Sequence, residues 1–115
     1  MKPELLVDEI LVRTVNENVS FYRNMLENIP RSEVTDPYWK ELLAFYDKSN
    51  QSERQLIINL MQQVSQDSVA SLLSIVDGIG YSELDSELQL SDESGNILQG
   101  DLSNMFLKKC EVGSI

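Results

Sequence analysis

The chain contains no histidine, one cysteine, three prolines and five glycines among 115 residues. Without histidine the commonest general base and the commonest metal ligand are both missing. Ser-His-Asp and Cys-His nucleophile pairs are therefore excluded within the chain, and Cys110 alone cannot build a zinc site. A single cysteine forms no internal disulfide, which points to a reducing, cytoplasmic setting. No apolar run approaches the ~20 residues that span a bilayer. Glu4, Asp8 and Glu9 interrupt any apolar centre a signal peptide would need. There is no Walker loop and no GxGxxG; Gly78-Ile79-Gly80 comes nearest, with no strand signal before it. Asn18-Val19-Ser20 and Asn50-Gln51-Ser52 match the glycosylation pattern, and both are read as chance matches.

Positive charge is missing over a long interval. From Arg54 to Lys108 no Lys or Arg occurs, while Asp67, Asp77, Glu83, Asp85, Glu87, Asp92, Glu93 and Asp101 all fall there. The formal net charge is −10. Such a field repels nucleic acid and membrane phosphates and attracts basic partners.

What is present is mostly helical. Pro3 suits a first helical position, and Val7, Leu11, Val15, Val19, Tyr22, Leu26 and Ile29 recur at spacings of three and four. A helix over residues 3–28 would be roughly 39 Å long, ended by Pro30. Asp36-Pro37 is a start signal for a short helix over 37–48. There Trp39, Leu42, Leu43 and Tyr46 share a core-type face, with Tyr38 and Phe45 flanking it. Ser52-Glu53-Arg54-Gln55 reads as a capping box opening a third helix over 52–77. In that helix Leu60, Val64 and Leu72 are expected to face the core. One continuous helix is favoured; a break near Ser65-Gln66-Asp67-Ser68, poor helix formers, is the alternative. Gly78 is the expected terminator. Alternation at Glu87-Leu88-Gln89-Leu90, turn chemistry at Asp92-Glu93-Ser94-Gly95-Asn96, and then Ile97-Leu98 predict a β-hairpin pairing 86–91 with 96–99. A last short helix after Gly100-Asp101 carries Leu102, Met105, Phe106 and Leu107. The expected architecture is a single domain, 1–115, mainly α with an α+β tail: a bundle of two long and two short helices and a small C-terminal β-hairpin.

The candidate residues carry little chemistry of their own. Asp92–Asn96 has its glycine too early for a calcium-binding loop and no Glu at the required distance. Two lysines before Cys110 would favour thiolate, but no base accompanies it. Asp67 and Asp77 are read as structural: a carboxylate near a core stripe must be hydrogen-bonded, and Asp77 sits at the negative end of a helix dipole. Glu83, Asp85, Glu87, Asp92 and Glu93 are the candidate partner-binding surface.

Trp39-Lys40-Glu41-Leu42-Leu43-Ala44-Phe45-Tyr46-Asp47, Val76-Asp77-Gly78 and Gly100-Asp101-Leu102 with Phe106-Leu107 together resemble a small uncharacterised bacterial domain family. The resemblance covers most of the chain after Trp39 and implies no activity. In size, acidity and lack of catalytic groups the chain is also similar to immunity proteins that neutralise bacterial toxins, a likeness that implies a protein partner.

The sequence is therefore read as a non-enzymatic protein-interaction module, with no cofactor and no metal. Its partner would be a protein with a basic surface, not nucleic acid and not a membrane. The alternative is a homodimer or larger oligomer of the long helices, in which acidity confers only solubility.

Overall fold

The computed structural model describes residues 1–80 and 82–112. Helix α1 (Pro3–Ile10) opens on proline and runs without a break through a π-helical stretch, Leu11–Asn16, into α2 (Glu17–Asn28). The π stretch has a packing consequence. Eight residues of ideal α-helix would leave Val15 about 80° around from Val7. One extra residue in the turn shifts this by about 100°, leaving the two only about 20° apart. Both valines are then fully buried on one face, at 0 % exposure. The Thr14 hydroxyl donates to the Ile10 carbonyl (2.6 Å) and Asn18 Nδ2 donates to the Thr14 carbonyl (3.0 Å), so side chains take up acceptors in the widened turn.

Ile29 leaves helical geometry (φ −63°, ψ 132°) ahead of Pro30. Arg31 then buckles the connection. Its Nε and Nη2 donate to the two Asp47 oxygens (3.0 and 2.7 Å), and its Nη1 and Nη2 donate to the Ile29 and Leu26 carbonyls (2.9 and 2.6 Å). The arginine hydrogen bond holds the Asp47 carboxyl below the usual carboxylate range.

Helix α3 (Pro37–Lys48) starts where Asp36 Oδ1 accepts from the Tyr38 N–H at 2.9 Å. Helix α4 (Gln51–Asp77) is continuous and roughly 40 Å long. Its capping box is Asn50 with Glu53, two residues before the expected Ser52 and Gln55: Asn50 Oδ1 accepts from Glu53 N (2.9 Å) and Glu53 Oε1 from Asn50 N (2.8 Å). The Ser65–Ser68 stretch stays helical because its polar groups find partners along the helix. Ser65 Oγ donates to the Met61 carbonyl (2.8 Å), and Gln63 Nε2 reaches both Asp67 oxygens (3.1 Å each). Gly78 ends α4 in the left-handed region (φ 73°), with Gly78 N and Ile79 N donating to the Ile75 and Ser74 carbonyls. Helix α5 (Leu102–Val112) completes the bundle.

The expected β-hairpin is not formed. No strand occurs among the described residues, and 86–91 meets 96–99 only at an isolated antiparallel bridge, Ser91 with Ile97. The reason is a side chain. Gln99 accepts from the Leu90 N–H (2.8 Å) and donates to the Leu88 carbonyl (3.0 Å), filling with its amide the places that a partner strand's backbone would take. The tail is thus irregular chain held by side chains, and the fold is helical rather than α+β.

Two apolar clusters hold the helices. Val7, Val15, Ala70, Leu73, Leu102, Phe106 and Cys110 join α1, the π stretch, α4 and α5. Leu26, Val34, Leu43, Tyr46 and Ile58 join α2, α3 and α4, and Val19 packs against both clusters. Lys109 Nζ pairs with Asp8 Oδ1 (2.6 Å), tying α5 to α1 rather than activating the neighbouring thiol. Burial, with Asp67 and Glu111 adding repulsion, pushes the Cys110 thiol up, so this cysteine is core rather than nucleophile.

Tyr46 gives the fold a pH signature. Its ring is buried under the Arg54 guanidinium (4.7 Å to the centroid), and its hydroxyl donates to Glu27. Burial first, then the Glu27 hydrogen bond and charge, raise its pKa from 10.0 to about 12. The folded state thus holds the phenolic proton more tightly than the unfolded chain. Its contribution to stability is complete below pH 10 and is lost as pH rises from 10 toward 12. The expected result is that the stability advantage of the native chain over Tyr46→Phe shrinks across that window in urea denaturation. A difference that stays constant with pH would refute it.

Candidate interaction surface

Helix α4 carries apolar residues around most of its circumference, and its neighbours cover only part of it. The covered side includes Ile58, Ala70 and Leu73, with Ile57, Met61, Val69 and Val76 half-buried against the clusters. Leu60, Val64 and Leu72, expected to face the core, are instead 65 %, 55 % and 59 % exposed. Leu56 extends the Leu60–Val64 stripe toward the start of α4, and Ile75 is exposed near its end.

Beside Leu60 and Val64 lies a groove of about 570 Å³ between α2, α3 and α4. Tyr22, Tyr38, Trp39 and Leu42 form its other wall, and no charged side chain lines it. The aromatic wall is ordered ring against ring. Tyr22 and Trp39 are parallel (2°, centroids 6.1 Å apart), with Phe21 meeting the edge of Tyr22 and Tyr38 meeting Trp39 at 81°. Rings interlocked in this way lose little further freedom when a partner covers them. Tyr38 and Phe45, flanking residues in the sequence pattern, are both open to solvent.

At the other end of α4 a second hollow, of about 280 Å³, lies against the loop that follows Gly78. Its floor is Ile75, Ile79, Leu84 and Leu88, and Asp85 and Glu87 stand beside them. Glu83, Asp85, Glu87 and Glu93 are exposed, all on irregular chain. Asp92 differs from them. Its carboxylate accepts from the Met1 ammonium (2.7 Å), Ser94 N (3.0 Å), Asn96 N (2.9 Å) and Asn96 Nδ2 (3.0 Å). The ammonium first, then the Asn96 bonds, hold this carboxyl far below the usual carboxylate range. Asp92 therefore organises the turn.

The two remaining candidates part ways. Asp67 is exposed and held by Gln63, within electrostatic reach of the buried Cys110. Asp77 reaches across the fold: Oδ1 accepts from Gly100 N (2.7 Å) and Oδ2 from Ser103 N (2.8 Å). It is the last residue of α4 but serves the N-terminus of α5, where a negative charge is favourable. Close by, the buried Ser103 hydroxyl donates to the Ala70 carbonyl (2.9 Å) and accepts from Ser74 Oγ (3.0 Å).

Among the described residues no helix is long and apolar enough to cross a membrane. Comparison of the chain with family models, curated proteins and solved structures returns no match.

Proposed function

We propose that the chain is a non-enzymatic interaction module of the adaptor or toxin-immunity kind, working in the cytoplasm and docking a basic protein partner through the end of α4 and the loop beyond it. The observation that carries this reading is the hollow floored by Ile75, Ile79, Leu84 and Leu88 with Asp85 and Glu87 beside it. An apolar floor anchors an aliphatic side chain, while adjacent carboxylates select Lys or Arg neighbours and steer their approach. The interval from Gln55 to Leu107 contains no Lys or Arg that could neutralise this rim from within its own stretch of chain. Nucleic acid is disfavoured as a partner by the same charge.

The test uses an amphipathic helical peptide of leucine and lysine, with a leucine–glutamate peptide as control. The lysine peptide is expected to bind, to associate faster at low salt, and to lose about tenfold in association rate with D85K/E87K. An association rate indifferent to that double charge reversal refutes the reading.

A further inference from the structure

We infer that the aromatic groove and the open face of α4 form a self-association surface that takes a second copy of this chain across a two-fold axis near Leu60 and Val64. Three observations select that occupant.

The first is charge. Every residue lining the groove is uncharged, and α4 from Gln55 to Val76 carries a single charged side chain, Asp67. A basic partner would find a single carboxylate here, Asp67, to pair with. A second copy of an acidic chain meets few charges of its own sign on this face, and with the axis near Leu60 and Val64 the two Asp67 side chains stay about 15 Å apart along the helix.

The second is area. Tyr22, Tyr38, Leu56, Leu60 and Val64 are each 43 to 67 % exposed. At roughly 170–200 Å² for a free side chain of this size, they present on the order of 500 Å². The half-buried Trp39 and Leu42 and the polar rim add to that, approaching the ~800 Å² per partner of a specific interface. Monomeric proteins seldom leave apolar surface of this extent uncovered.

The third is placement of the acidic loops. With the α4 helices antiparallel across the axis, the residues after Gly78 lie 14 or more positions beyond Val64 on each copy. At the helical rise this separates the two loops by about 45 Å, several times the ~8 Å Debye length at physiological salt. The two-fold arrangement thus brings faces with one carboxylate each together and keeps the acidic loops apart and open.

Sedimentation equilibrium of the whole chain tests this. Twice the 13.1 kDa chain mass is expected at micromolar concentration. L60E/V64E is expected to raise the dissociation constant by about 100-fold or more. Both residues are more than half exposed, so their substitution should leave the helical circular dichroism intact. Y38E probes the opposite wall of the groove from a different helix and is expected to weaken the dimer as well. D85K/E87K is expected to leave the dimer unchanged, so loss of peptide binding and loss of self-association are read separately. A monomer mass up to about 100 µM overturns the inference. So does a dimer that survives both L60E/V64E and Y38E, which would place the interface elsewhere.

Discussion

Phe106→Ala is expected to lower the unfolding free energy by about 3–5 kcal/mol, measured by urea denaturation. Phe106 has no solvent exposure and lies in the cluster that includes Val7, Val15, Ala70, Leu73 and Leu102. Removing the ring leaves a cavity between α1, α4 and α5, and these elements close only partly around it. Helix α5 has 11 residues, below the ~12–15 at which an isolated helix becomes marginally stable. Its order therefore comes from packing, and Phe106 is the largest side chain it contributes to the core. Total stabilities of ordinary domains are only about 5–15 kcal/mol, so this substitution should remove a large fraction. Phe21→Ala, at an exposed ring, is the control and should cost within about 0.5 kcal/mol. Equal losses for the two variants would mean that α5 is not the keystone of its cluster.

Asp77→Ala is expected to cost about 2–3 kcal/mol, because two backbone N–H groups at the start of α5 lose a charged acceptor together. Asp77→Asn keeps one carbonyl oxygen and should recover part of that loss. Hydrogen exchange gives the sharper readout: protection should fall first in 100–106, far in sequence from the substitution. Uniform loss of protection would instead assign the role of Asp77 to α4, the helix it ends. The contact also explains an acid at the negative end of a helix, since the carboxylate answers to the positive end of another.

The sequence and the structure agree most closely where the signals are short-range. Pro30, Asp36-Pro37 and Gly78 act on their immediate neighbours, and each helix boundary they mark is present. The capping box shows how narrow that reach is. Asn50-Glu53 and Ser52-Gln55 both satisfy the pattern, and the path of the chain out of Ser49 decides between them. The hairpin expectation rested on alternation and a turn. The turn is closed by Asp92, but the ladder positions went to the Gln99 side chain, which no period-two pattern can anticipate. In the candidate surface, Asp85 and Glu87 could be found from charge alone, because charge is a property of composition. Leu60, Val64 and Leu72 could be identified as apolar but not placed, because α4 is apolar on more than one side.

From its residues alone the chain was bound to be helical, acidic and without histidine chemistry, since periodicity, caps and side-chain inventory are local quantities. Only the tertiary structure chose which face of α4 meets α2 and α5, and so which leucines remain in water. It also turned the end of α1 through a π stretch so that Val7 and Val15 share one core, and it sent Asp77 to a helix 26 residues away. Those outcomes depend on how few neighbours a 115-residue chain can supply to a 27-residue helix. With too little surface to cover it on all sides, one apolar face was left open.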